Sequence, residues 1–465
     1  MNRKGLLVLM ALMSIVVLFG KAQSNLGFYH TNDLFNSSDF NPAFLTFQKN
    51  FTISVFPLAG ASVGYNDRVV IEGMLSKVLV GKQTNDNLKE VFISLVERDL
   101  VYQRMENSLL YLGYNTKIGS FNFWIKEVEQ FSTELKGNLS DYLLNKSPLD
   151  FQSVVPGQSQ PFPAQAIHYR EYSLGYAKEI IKNKLSIGLR AKIYFGKSSV
   201  SSEVQGKILQ DNGNYYLETY GELKLSAPVD VYHSNDRLDS IQLHDNFSLS
   251  NYLMNPKNLG AGFDLGINYK IAPDLVFSAS VIDVGRIYWK SNVNSMNFIG
   301  KPILFDPSDP SMLSSAVSET LAISADDSNF STRLPATFYA GLKYQLFPNV
   351  SLGAVDRYIK FKDLNHNSFS IMAGYTLNKN LTISSGYSII GNSRNIPLGV
   401  IVNWRSGQFY IGSDNVLSYI PQAGSEFSGL TAGVCIFLFR KKTKTLKQLE
   451  YLPFYQPKDT KQIAN

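Results

Sequence analysis

The sequence predicts an all-β protein: a transmembrane antiparallel β-barrel of about 14 to 16 strands, with short helices in long loops and an N-terminal plug-like segment. Three observations carry this. First, Asn258 to Lys270 (NLGAGFDLGINYK) sets Leu259, Ala261, Phe263, Leu265, Ile267 and Tyr269 on one parity, against Gly260, Gly262, Asp264, Gly266, Asn268 and Lys270 on the other. That is a strand with an oily face and a polar face, long enough for the ~9 to 11 residues that cross a bilayer. Second, the connections between such runs alternate between short and long. Third, beyond the N-terminus no apolar run approaches the ~20 residues of a spanning helix, so a membrane location requires a closed barrel.

The chain has 465 residues, 44% hydrophobic, 13% aromatic and 18% charged, which fits neither a disordered chain nor a helical membrane protein. Arg3 and Lys4 precede an apolar run, Gly5 to Gly20, and Gly20-Lys21-Ala22 provides small residues for cleavage before Gln23. Residues 1–22 therefore read as a signal peptide. The single cysteine, Cys435, forms no internal disulfide, so an exported chain of this size needs another source of stability, such as a closed ring of strands. The formal charge of +6 is concentrated at the ends: three basic residues in the leader, and seven basic against two acidic in 440–465, leave the body near −2. Nucleic acid is not an expected partner.

Residues 23–50 form a polar and aromatic lead that contains Asn41-Pro42-Ala43. The barrel is expected over 51–439, opening with Phe51 to Tyr65, whose odd-numbered residues are apolar. A first excursion holds an amphipathic helix over Asp86 to Val101. Strands follow at Ser108 to Asn115 and Ser120 to Val128, then a second excursion with helical spacing at Leu135, Leu139, Tyr142 and Leu143. His168 to Ala177, Lys184 to Gly196, Ser199 to Leu209 and Tyr215 to Ser226 come next, with Asp211-Asn212-Gly213 as a hairpin turn. After an Asp- and Asn-rich third excursion, Pro228 to Lys257, come Asn258 to Lys270 and Leu275 to Ile287. In the fourth excursion Asp309-Pro310 starts an expected helix, Ser311 to Ile323. The remaining strands are expected at 334–346, 351–360, 369–377, 381–390, 398–405, 408–413 and 430–439.

With strands alternating in direction, the short connections 117–119, 179–183, 211–214, 272–274, 347–350, 378–380 and 405–407 fall on one side, and the long excursions on the other. Outer-membrane barrels have this asymmetry, with short periplasmic turns and long outer loops. The count is about sixteen strands, or fourteen if two weak ones such as Gln408 to Ser413 drop out.

Thr431 to Leu438 (TAGVCIFL) resembles the signal by which barrel-assembly machinery recognises outer-membrane proteins, although a basic tail, 440–465, follows it. That tail reads as a solvated periplasmic end, or as a contact for a periplasmic protein through Leu452-Pro453-Phe454-Tyr455. With Asn41-Pro42-Ala43 behind a signal peptide and ahead of a long first strand, the chain most closely resembles an uncharacterised outer-membrane β-barrel family that is similar to the FadL-type transporter superfamily and to PorV and PorP-like barrels. The resemblance implies an N-terminal plug, fourteen strands and passage of hydrophobic molecules.

Arg190, Lys192, Glu218, Glu222, Lys224, Asp264, Lys343 and Arg405 sit on the polar parity and are the candidate lumen lining, since a Lys or Arg facing lipid near the midplane costs ~2–4 kcal/mol. Trp289 and Trp404 fit interfacial girdles. The histidines His30, His168, His233, His244 and His366 form no nucleophile or metal motif, so no enzyme, cofactor or metal is expected. Asp230, Asp236, Asp239 and Asp245 are of the type that chelates a hard cation, but read as a solvated acidic loop in preference to a metal site. The functional expectation is a bacterial outer-membrane barrel in contact with membrane lipid, a conduit for hydrophobic small molecules. The alternative is a structural or interaction subunit of a secretion or surface assembly.

Overall fold

The computed structural model describes residues 26–31, 34–48, 51–56, 58–65, 100–134, 159–234, 237–305, 321–324, 328–361, 365–378, 380–390, 393–419 and 428–438. The expected signal peptide, the basic tail and the helical piece at Leu135 to Leu143 lie outside these residues. So does the first expected helix, except that Leu100 and Val101 begin a strand. Leu321–Ser324 is also a strand, so the end of the expected helix Ser311 to Ile323 is extended instead.

Fourteen strands close an antiparallel barrel. In chain order they are β1 (Phe51–Val55, continued by Ala61–Tyr65), β2 (Leu100–Asn115), β3 (Ser120–Glu134), β4 (Ser159–Ile181), β5 (Leu185–Asp211), β6 (Asn258–Ala272) and β7 (Leu275–Trp289). The ring continues with β8 (Ala336–Phe347), β9 (Val350–Lys360), β10 (Asn365–Leu377), β11 (Leu381–Ile390), β12 (Leu398–Trp404), β13 (Gly407–Ser413) and β14 (Ser428–Leu438). Each strand pairs with the next, and β14 returns to β1, with Ile53 opposite Ile436 and Ala61 opposite Ala432. Closure leaves no sheet edge unpaired around the ring, which is what a hydrocarbon surrounding demands.

The two parities separate as the alternation requires. On β6, Leu265 is 43% exposed while Asp264 beside it is fully buried. The same outward belt continues through Leu342, Phe369, Ile371 and Ile383.

Two expected barrel strands are not barrel strands. Ser199 to Leu209 is not a separate strand but the second half of β5, which runs unbroken for 27 residues. Its first half pairs with β6, from Leu185 opposite Tyr269 to Gly196 opposite Asn258. Its second half projects beyond the ring, still paired on one side with the first part of β4, from Ser159 opposite Lys207 to His168 opposite Ser198, and on the other with Asn214–Ser226. The hairpin at Asp211 to Gly213, with Asn212 and Gly213 both at positive φ, is therefore at the far end of a projecting arm and not on the side of the short turns. Gln408 to Ser413, the weaker candidate by sequence, stays in the ring as part of β13.

The same sheet continues along the arm. Asn214–Ser226 pairs with Val293–Ile299 and Ile303–Phe305; Val293–Ile299 pairs with Leu321–Ser324, which meets Arg237–Leu243, itself paired with Val229–Ser234. Leu225, Val229, Met296 and Phe298 form the arm's apolar core. A short helix, α1 (Leu249–Leu253), lies against the barrel wall, where the Tyr252 hydroxyl is 2.7 Å from His168 Nδ1 and 3.0 Å from Ser198 Oγ.

Candidate functional site

The lead occupies the lumen. Three 3-10 turns, Leu26–Phe28, Ser37–Asp39 and Pro42–Phe47, place Phe28, Tyr29, Leu34, Phe35, Phe40 and Phe44 in one buried cluster with the wall residues Tyr111, Trp124, Ile282, Tyr339, Tyr410 and Phe437. Tyr29 stacks on Tyr339 at 5.4 Å between ring centres, and its hydroxyl is 3.1 Å from Ser278 Oγ. Each such side chain buried contributes about 1.5–3 kcal/mol, so the plug is held chiefly by apolar contact.

Asn41-Pro42-Ala43 is the hinge of this docking. The Asn41 side chain accepts from the Ala43 amide at 2.9 Å, capping the turn that Pro42 begins. Its amide nitrogen donates outward to the Ile267 carbonyl at 2.9 Å and the Ala279 carbonyl at 3.1 Å, tying the turn to β6 and β7. The wall is bare where the motif rests: a Cβ at Gly266 would run into Asn41 Oδ1, and one at Gly188 into the Pro42 carbonyl carbon. Lys343 donates to the His30 carbonyl at 2.7 Å, and the Asp414 carboxylate, in the loop after β13, accepts from the Leu26 amide at 2.9 Å.

Next to the aromatic layer lies a layer of buried charge. Arg190 on β5 reaches Asp264 on β6 at 3.2 Å, its direct cross-strand partner, and donates to the Ser38 carbonyl at 2.6 Å. Lys192 bridges Asp264 at 3.0 Å, Asp283 at 2.5 Å and Glu171 at 3.5 Å. Arg104 joins Glu106 at 2.5 Å and Asp283 at 3.0 Å. Lys126 holds Glu106 at 3.2 Å, bonds to Asp39 of the plug, and sits 4.0 Å over the Trp124 ring. Asp39 also lies 3.7 Å from Arg190, so the plug supplies one anion of the network. Buried charges persist only when paired in this way.

Sequence reading misses Arg104, Glu106, Lys126, Glu171 and Asp283. Arg104 and Glu106 precede the residue at which β2 is expected to begin, while Lys126 and Glu171 stand on the inward parity of β3 and β4 and can be found there. Asp283 cannot: it sits at φ +60° in a bulge of β7, where the register against β6 shifts between Phe263 and Leu265, and this turns an otherwise outward position inward.

Several candidates lie elsewhere. Glu218, Glu222 and Lys224 belong to the projecting sheet, where Glu218 pairs with Lys207 at 3.2 Å and Glu222 with Lys224 at 2.7 Å. Burial would raise the Glu222 carboxyl, but hydrogen bonds from Lys224 and Ser295 outweigh it and hold the group below its usual range. Arg405 is exposed in the turn between β12 and β13. Trp289 is fully buried rather than interfacial, stacked on Phe330 with its indole N–H on Thr332 at 2.9 Å, whereas Trp404 is 41% exposed. Asp230 lies 3.0 Å from His244 Nδ1, and among the described residues no cluster of His, Cys, Asp and Glu is arranged to hold a metal.

A closed fourteen-strand barrel with an inserted N-terminal plug defines the class. Within it, the profile of a family of unknown function, DUF5723, matches residues 42–414, and the chain belongs to that family. No curated protein matches. Among solved structures, the Ralstonia pickettii toluene transporter TbuX is 12% identical, with 87% of this chain and 93% of that chain covered and a TM-score of 0.40. The Pseudomonas putida toluene transporter TodX is 10% identical over 87% and 93%, with a TM-score of 0.37. A Pseudomonas aeruginosa FadL homologue is 12% identical over 86% and 93%, with a TM-score of 0.38.

Proposed function

We propose that this protein is a bacterial outer-membrane conduit for hydrophobic small molecules, closed by its plug. The observation that carries the reading is the aromatic wall of Tyr111, Trp124, Tyr339, Tyr410 and Phe437, which packs against Phe and Leu side chains of the plug. If the plug shifts, that surface is left open to an apolar solute of similar chemistry. Thr431 to Leu438, the β14 strand that closes the ring, is the segment offered to barrel-assembly machinery.

A disulfide tests the gate. Thr46 Oγ1 on the plug is 3.5 Å from Ser186 Oγ on β5, so Thr46→Cys with Ser186→Cys should lock the plug when oxidised. Uptake of a hydrophobic probe by proteoliposomes should then fall when oxidised and recover on reduction. Equal uptake in both states ends the plug-gated reading.

The second reading, a structural or interaction subunit of an outer-membrane assembly, is favoured by the buried charge layer, which offers little to an apolar solute. Native mass spectrometry of gently extracted protein separates the two. A stoichiometric small apolar ligand supports the conduit, and a stoichiometric protein lost on deleting 440–465 supports the subunit.

A further inference from the structure

Asp356 breaks the rule that the outward face of the ring obeys. On β9 the inward parity is Gly353, Val355, Arg357 and Ile359, with Val355 and Ile359 each 1% exposed and Arg357 4%. The outward parity is Leu352, Ala354, Asp356 and Tyr358. Asp356 stands opposite Ala340 on β8 and Phe369 on β10, and the outward residues around it include Phe338, Leu342 and Ile371, each more than 40% exposed. The carboxylate is therefore inside the apolar belt, with aromatic and aliphatic side chains above and below it. Among the described residues no hydrogen bond or ion pair reaches it.

Beside it the belt is indented. A groove of about 380 Å³ has Ala279 and Ala340 as its floor, with Ile267 at one side, Phe338 and Tyr358 above, and Asp356 at the other side. Small residues in a lipid-facing surface let a neighbouring segment approach closely, and an ionisable group within the bilayer calls for a partner of opposite charge. Lipid chains offer none. A two-fold pairing of this chain through the groove would set two carboxylates face to face.

We infer that this groove docks a membrane-spanning segment of a different outer-membrane protein, one that lays a Lys or Arg stem across Ala279 and Ala340 and ends its charge on Asp356. The site rests on the membrane-embedded reading of the barrel but not on the transport reading. It uses only the outer face, so it stands whichever way the lumen assay falls.

The test uses the full chain in its native membranes with a photo-crosslinking residue, p-benzoylphenylalanine, at position 340. The expected result is one discrete protein adduct whose yield drops at least tenfold with Asp356→Lys and returns when one basic residue of the captured protein is changed to Asp. Adducts with lipid alone, or a protein adduct indifferent to Asp356→Lys, overturn the docking site while leaving the membrane reading intact. A chain that does not fractionate with outer membrane, and forms neither adduct, ends both. A folding control keeps the result interpretable: purified Asp356→Leu should unfold at a higher temperature than wild type, because in isolation the carboxylate has no partner. A lower unfolding temperature would mean that Asp356 supports the barrel itself, and the inference falls.

Discussion

Asp264 and Glu222 both fall on the polar parity of a strand, yet substitution should affect them very differently. Asp264 is fully buried and holds Arg190, Lys192 and the Asp283 amide. Asp264→Asn leaves two buried cations short of a counter-charge and should cost about 3–5 kcal/mol in denaturant unfolding, the range for breaking a buried ion pair from one side. Glu222, about a third exposed on the projecting sheet, pairs with a similarly exposed Lys224. Glu222→Gln should cost about 0–1 kcal/mol. Equal effects would mean that the buried layer is far wetter than its packing indicates. Asp414 adds a pH dependence. Burial pushes its carboxyl up to about 7, against the lowering pull of Arg357 and the Leu26 amide. A raised carboxyl means the folded state binds the extra proton, so this contribution to stability is full below about pH 4 and is lost as pH rises toward 7. The unfolding midpoint of wild type should fall across that window relative to Asp414→Asn, which carries no titrating group there; parallel profiles would remove Asp414 from the account.

At the scale of elements, the docking of the Pro42–Phe47 turn on β5 and β6 makes the clearest demand. Gly188 lies under Pro42 so closely that any side chain meets backbone. Gly188→Val should still give a closed barrel, seen as heat-resistant migration on a gel, but a plug that protease removes. The disulfide lock between positions 46 and 186 should then fail to form. A protected plug in that variant would show that the contact yields easily. Strand existence is legible because the barrel wall is a two-solvent surface, and alternation follows directly from it. Strand ends are not: β5 runs on as one strand from the wall into the arm, and although its apolar parity switches from odd (Leu189, Ile193) to even (Val200, Val204) at a slip opposite His168 and Tyr169, a switch of face does not say that the strand has passed beyond the ring. The inward turn of Asp283 is hidden for a related reason, since a bulge is a property of the pairing of two strands and not of either one.

For the whole molecule, the arm marks the end opposite the short turns. If the short turns face the periplasm, the tip at Asn212-Gly213 stands beyond the opposite rim, outside the cell. An epitope inserted after Gly213 should be stained on intact cells; staining only after permeabilisation would reverse the proposed orientation. The apolar belt, the short turns, the long loops and the plug motif at Asn41-Pro42-Ala43 are all dictated by local sequence, because each answers to solvent polarity or to backbone geometry within a few residues. The number of strands in the ring, the meeting of Asp39 with Lys126 and Arg190, and the removal of Glu218, Glu222 and Lys224 from the lumen were decided only by the tertiary structure. Those outcomes depend on which strand lies beside which after closure, and residues 87 to 151 positions apart become neighbours through a ring no segment encodes alone.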